Sequence, residues 1–387
     1  MIRTGLLVGV ALLIALSGKT QQDLELHAKV QERLDDWRSE QQIPGVSIAI
    51  ATGDAVQTWT TGLADQEAGV PIQPQDMLFS GSVGKTYVSA IILRMIGTGE
   101  LRLEDRMHTY FGGEDWYDCL PNSEDLTLQM LLNHTSGLGR YIFQPSFVEM
   151  IKKDVFRKIS PQEGLRHLCG TEAVHEPGKG WSYSDSNYLI LGLLIEKLSG
   201  KTYYEVLEED LLIPLDLKAT RPTTSEKLPG LITGYIAEEH NFFELPKKTV
   251  NKEGNYVMDP SFEYTGGGLY CTPADLARWI NLLHSGQVLS DSMLQLLKQA
   301  VDFRTGQPAE AGYGLGTFVW ATPHGKHFGH AGMFPGYLTQ VEHNAEAGFT
   351  IALQINTDGG DMRSMHTLIL ELSDMLFRAG AGKDQRE

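Results

Sequence analysis

The sequence predicts an α+β fold: an antiparallel sheet flanked by helices, built from both ends of the chain, with a mainly helical lobe inserted between them. Three observations predict it. Alternating apolar and polar residues mark strands early, at Val46–Ala51 and Val56–Leu63. Strand patterns return only late, at Tyr313–Thr322, Lys326–His330, Tyr337–His343 and Phe349–Thr357, through short connections that favour antiparallel pairing. Between them, from Leu101 to about Ser261, the pattern is mostly helical and broken by polar loops. The expected boundaries are therefore a sheet domain over 24–100 and 262–387 and an inserted helical domain over 101–261.

The elements follow in order. Leu24 to Gln42 has helical periodicity with many charges, a surface helix that Pro44-Gly45 ends. Thr52-Gly53-Asp54 is a turn between the two early strands. After Ser82, the residues Tyr87, Val88, Ile91, Ile92, Met95 and Ile96 recur at spacings of three and four, predicting a buried amphipathic helix with Ser82 in its first turn. Tyr188 to Leu198 is apolar on nearly every side, a helix inside the protein, with Gly200 as its stop. Met362 to Phe377 closes the chain as a helix. The segments Arg140 to Ile159 and Thr233 to Asp259 are expected to set the size of any pocket.

Composition narrows the function. The chain has 387 residues, and a net charge of −17 argues against a nucleic-acid partner, because phosphate backbones are bound by basic surfaces. Met1-Ile2-Arg3 followed by the apolar run Gly5–Leu16 has the form of a signal peptide over 1–18, too short to span a bilayer comfortably. Leu16-Ser17-Gly18 would begin a lipoprotein box, but Lys19 stands where the lipid-bearing cysteine would be, so no stable membrane anchor is expected from this sequence. The expected location is periplasmic or extracellular. Cys119, Cys169 and Cys271 have no metal-site spacing; in an oxidising compartment one pair could bridge, and the sequence does not say which.

The chemistry centres on Phe79–Ala90. On a helix, Ser82 and Lys85 share a face, so the lysine amine reaches the serine hydroxyl, a poor nucleophile that must lose its proton as it attacks. A phosphate-binding loop is the competing reading of Gly84-Lys85-Thr86. It fails because Phe79 stands where that motif needs a glycine. Trp181–Tyr188 is a polar cluster before the buried helix, in which Tyr183 is a candidate proton carrier and Asp185 or Ser186 a candidate cap. His330-Ala331-Gly332 places a histidine at a strand end, with a glycine that permits close approach. His324, His327 and His330 are evenly spaced, but residues three apart on a strand point to opposite faces, so no metal site is expected there.

The ordered set Ser82-x-x-Lys85, Tyr183-x-Asp185 and His330-x-Gly332 resembles the serine β-lactamase and penicillin-binding protein superfamily, most closely class C β-lactamases and D-alanyl-D-alanine carboxypeptidases. Leu131–Leu138, Tyr183–Gly200 and Gly266-Gly267-Gly268-Leu269 support it, and the resemblance runs from about Val30 to Phe377. It implies a β-lactamase-like fold and an acyl-serine mechanism without a cofactor or metal. Ser82 would attack a carbonyl, Lys85 and Tyr183 would share the proton work, and the backbone amides of Ser82 and Met333 would hold the oxyanion. Asp185, His330, Gly332 and Met333 would line the substrate site, for a small molecule or a peptidoglycan-type peptide. Two departures stand out. Asparagine is often found where Asp185 stands; an ionised carboxylate only accepts hydrogen bonds, and beside Lys85 it would favour the ammonium and push the base role to Tyr183. Histidine replaces the lysine common in β-lactamases, which weakens a constant cationic grip on a carboxylate and tilts the expectation toward D-alanyl peptidase or esterase work, with a β-lactamase or a low-turnover penicillin-recognising protein as alternatives.

Overall fold

The computed structural model describes residues 21–380. The signal-peptide segment over 1–18 and Lys19 lie outside the described residues. Ten strands form one sheet in the order β3-β2-β1-β13-β12-β11-β10-β9-β7-β8, drawn from both ends of the chain. The early strands are β1 (Gly45–Thr52), β2 (Ala55–Asp65) and β3 (Val70–Pro71); the late ones are β7 (Ala300–Val301), β8 (Pro308–Ala309), β9 (Gly312–Tyr313), β10 (Phe318–Thr322), β11 (Gly325–Phe334), β12 (Tyr337–Asn344) and β13 (Phe349–Ile355). All pairings are antiparallel, and β1 joins the two ends of the chain by lying against both β2 and β13, with Ile48 opposite Leu353 and Trp59. A second, three-stranded sheet sets β6 (Leu269–Cys271) between β4 (Leu78–Phe79) and β5 (Thr220–Pro222).

The two faces of the large sheet bury different partners, and strand period assigns them. Val46, Ile48 and Ile50 of β1 face helices α1 (Gln21–Gln41) and α5 (Met362–Arg378), packing with Val30, Leu34, Trp37, Leu368 and Leu372. Ala49 and Ala51 point the other way, into the main core shared with α2 (Lys85–Thr98), α3 (Asp185–Ser199) and α4 (Pro273–His284). Each fully buried Leu or Ile here contributes roughly 1.5–3 kcal/mol relative to an exposed one. Helix α3 is buried from Asp185 through Ile195, and Gly200 ends it at φ +70, a left-handed cap that favours glycine.

Several expectations shift in detail. The 101–261 region is less helical than its pattern implies: between its short helices, including Leu128–Leu132, Pro145–Lys153 and Tyr203–Leu207, lie long loops and β5. The expected strand Tyr313–Thr322 is divided into β9 and β10, because Gly314 and Gly316, the latter at φ +91, turn the chain between them. His330 lies inside β11 rather than at a strand end, since the strand continues to Phe334. The close approach expected at Gly332 is present: a side chain there would meet the Ser80 carbonyl oxygen at 2.0 Å, and one at Gly329 the Val341 carbonyl oxygen at 1.9 Å. Cys119 and Cys169 form a disulfide, and Cys271 is free and buried. Among the described residues no helix is long and apolar enough to cross a membrane.

Candidate active site

Ser82 sits in a 3-10 turn, Gly81–Gly84, that feeds directly into α2, so it lies one turn before the helix proper instead of inside its first turn. The turn exists because Gly81 takes φ +52, and because three backbones meet there without side chains between them. A Cβ at Gly81 would lie 2.7 Å from the Met333 nitrogen, one at Gly267 would lie 2.9 Å from the Ser82 nitrogen, and one at Gly332 would lie 3.1 Å from that same atom. The amides of Ser82 and Met333, expected as the oxyanion donors, are thus brought to one place by main-chain contact.

Lys85 is fully buried, and its Nζ donates to Ser82 Oγ at 3.0 Å, to Asp185 Oδ1 at 2.7 Å and to the Gly266 carbonyl. Asp185, at the start of α3, is equally buried and also accepts from Arg140 Nε at 2.8 Å and Nη2 at 2.7 Å. One carboxylate therefore holds two cations. Burial alone would raise Asp185, but Arg140 and Lys85 outweigh it and hold the carboxyl well below the usual range. Burial likewise opposes the Lys85 ammonium, and Asp185, with Tyr183 and Glu263, overcomes it and raises that pKa. The Asp185–Lys85 contact that the family resemblance implies is present.

The Tyr183 ring lies beneath these cations, 4.9 Å from Lys85 Nζ and 5.5 Å from the Arg140 guanidinium carbon. Its hydroxyl is buried without a hydrogen-bond partner, with Lys85 and Ser82 the groups near enough to stabilise a phenolate. Burial nevertheless dominates and raises the phenol pKa, with Lys85 opposing. His134, in the Leu131–Leu138 stretch, packs against Tyr183 at 4.2 Å between ring centres with the planes tilted by 38°, and accepts at Nδ1 from the Ser184 amide and the Asn187 side chain.

His330 is not a free cation. Its Nδ1–H donates to the Ala331 carbonyl at 2.6 Å, which leaves Nε2 to accept from the Tyr313 hydroxyl at 2.9 Å. Burial, reinforced by Lys85, drives its pKa down to about 3, so the ring is neutral at any ordinary pH. His327, on the opposite face of β11, instead bonds Glu342 at 2.8 Å. His324 lies in the turn before the strand.

A cavity of about 380 Å³ opens over this group, lined by Ser82, Tyr183, His330, Gly332 and Met333. The apolar part of its wall is largely aromatic, with Phe143, Trp181, Phe242, Phe262, Phe318 and Phe334 among the lining residues. Phe143 and Phe242 meet edge to face at 5.5 Å, so the Arg140–Ile159 and Thr233–Asp259 segments do shape the pocket. Arg140 and Glu263 are among the lining residues that the motifs did not flag. Arg140 lies two residues beyond the Leu131–Leu138 stretch. Glu263 is a carboxylate flanked by the core residues Phe262 and Tyr264, an anomaly that is visible in the sequence.

A family model described as Beta-lactamase matches residues 26–374. Over 311 residues the chain is 25% identical to penicillin-binding protein 4* of Bacillus subtilis (strain 168), covering 78% of this chain and 65% of that one. It is 25% identical to a D-aminopeptidase of Brucella anthropi over 82% of this chain and 56% of the relative. The chain thus spans about half to two thirds of the length of these two relatives. The structure of a D-stereospecific amidohydrolase from Streptomyces sp. superposes with a TM-score of 0.73 at 24% identity, over 88% of this chain and 97% of that one, and shares the fold. With the Ser82–Lys85 pair at the floor of its cavity and a family match over nearly all its described length, the chain belongs to the β-lactamase family of serine hydrolases.

Proposed function

We propose that the protein hydrolyses small amides or esters of apolar acyl groups through an acyl-Ser82 intermediate. The observation that carries this is the Lys85 Nζ to Ser82 Oγ hydrogen bond of 3.0 Å at the floor of an aromatic cavity. Lys85, held as an ammonium by Asp185, stabilises the minor phenolate form of Tyr183. Ser82 Oγ adds to the substrate carbonyl carbon while its proton passes to the Tyr183 oxygen, and the Ser82 and Met333 amides carry the oxyanion. The departing amine or alcohol takes that proton from Tyr183. Water then adds to the acyl-serine, its proton returns through Tyr183 to Ser82 Oγ, and the acid leaves.

D-alanyl-D-alanine carboxypeptidase-like action is the narrower reading, and it calls for a cation to hold the substrate's terminal carboxylate. Arg140 is engaged by Asp185 and His330 is neutral, which supports amidase or esterase work instead. The names of the relatives, a D-aminopeptidase and a D-stereospecific amidohydrolase, support D configuration at the acyl carbon. Export is part of the proposal, supported by the apolar N-terminal run and by the disulfide.

The test is intact-protein mass after exposure to an activated ester and, separately, to a fluorescent penicillin, in wild type and Ser82→Ala. An ester adduct that turns over and depends on Ser82 is expected; a long-lived penicillin adduct without ester turnover would instead identify a low-turnover penicillin-recognising protein. No adduct and no product with either reagent would remove the acyl-serine reading.

A further inference from the structure

Glu263 lines the same cavity as Ser82 and is 7% exposed, yet its Oε2 has no hydrogen-bond partner. An unpaired buried carboxylate is costly, and a fold that keeps one without an internal use is unusual. The backbone beside it is also strained, with Tyr264 at φ +43 and ψ −120 in the short helix that presents Glu263.

Apart from Tyr183, which the proposed mechanism uses, the other ionisable side chains lining the cavity have partners. Arg140 is bound to Asp185, and both His330 nitrogens are occupied. Asp358 accepts from the Ala237 and Gly336 amides, and His240 Nδ1 bonds the Asp358 carbonyl oxygen. Glu263 therefore keeps an unpartnered carboxyl oxygen at the cavity, and the charge it takes on ionising is negative.

We propose that Glu263 is the receptor for a free ammonium group on the substrate's acyl part, so that the preferred substrates are amides, esters or short peptides of amino acids with an unblocked α-amine. This rests on the acyl-serine reading above. The aromatic walls take the side chain, Ser82 takes the carbonyl carbon, and Glu263 discriminates between an amine and its acylated form. Burial, reinforced by Asp185 and opposed by Lys85 and Arg140, pushes the Glu263 carboxyl up to about 7. A bound ammonium would favour its ionised form and supply the missing partner.

The experiment compares kcat/KM for D-phenylalanine p-nitroanilide and its N-acetyl derivative in wild type and Glu263→Gln, an uncharged side chain of the same shape. Wild type is expected to prefer the free amine, and the ratio of the two kcat/KM values is expected to fall at least about tenfold in the variant, the size of one lost charge-assisted contact. A ratio that does not change, even if both activities fall together, would overturn the assignment. If the variant does not fold, inhibition of wild type decides: phenethylamine must inhibit more strongly than its neutral isostere 2-phenylethanol, and equal inhibition overturns the proposal. Ser82-dependent turnover of p-nitrophenyl acetate, run alongside, reports on the acyl-serine reading by itself, so that the two failures are distinguishable.

Discussion

Replacing Asp185 by asparagine removes one charge from between the buried Lys85 and the half-buried Arg140 and keeps the shape of the side chain. At an effective dielectric of about 20, charges separated by the observed 2.7 Å attract by about 6 kcal/mol, part of which only offsets the cost of burying them. Breaking such a pair typically costs about 3–5 kcal/mol, because the abandoned charges stay buried. Here the lower end is expected. The charge on Asp185 helps to keep Glu263 protonated, so its loss lets Glu263 ionise and replace part of the missing counter-charge.

The pH dependence has a definite sign. Because the folded-state Asp185 carboxyl is depressed, its stabilisation is complete above the unfolded value of about 4 and is lost only as pH falls toward the folded value. The stability gap between wild type and Asp185→Asn, measured by urea unfolding, should therefore be constant above the Glu263 value of about 7, where Glu263 is ionised in both proteins, and close in strong acid. Activity moves in its own way. Asp185 raises both Lys85 and Tyr183, so the ascending limb of the pH–rate profile should shift toward acid in the variant. Superimposable pH–rate profiles, or equal urea stability at neutral pH, would refute the reasoning.

Two further predictions concern the frame of the site. Gly81→Ala forces a side chain onto a φ of +52 and to within 2.7 Å of the Met333 nitrogen, and should lower kcat about 100-fold by displacing the nucleophile, measured as initial rate on an activated ester. Cys119→Ser opens the Cys119–Cys169 link, whose sequence separation is 50, and should cost about 4 kcal/mol in urea unfolding on the chain-entropy model; an unchanged midpoint would mean that the disulfide does not constrain the unfolded chain.

The parts of this molecule that could be read from its sequence are those with local periodicity. The β1–β2 hairpin, helix α3 with its Gly200 cap, and the terminal helix all follow from spacing over a few turns or a few alternations. The Ser82–Lys85 contact was legible for the same reason, being a relation between positions three apart. Arg140 and Glu263 were not, because their roles arise where Asp185, Lys85 and the Gly266 turn meet, and no local pattern records a contact across 45 positions. The state of His330 depends on Tyr313 from a neighbouring part of the sheet, so its residue type alone misleads. Gly332 was legible as a point of close approach, but which backbone approaches it, that of Ser80, was not.

The clasp around Ser82 has a consequence for how activity emerges during folding. Gly81–Ser82, the Gly266–Gly267 turn and Gly332–Met333 are separated by long stretches of chain and meet through main-chain contact, with Lys85 bonding both Ser82 and the Gly266 carbonyl. Asp185, which sets the charge of Lys85, comes from yet another stretch. A partly folded chain with only the hairpin, or only the late strands, in place would hold the nucleophile's residues without its geometry. Catalysis is therefore a late event, and regain of esterase rate on refolding would trail the recovery of secondary structure, marking the closure of the longest loops in the fold.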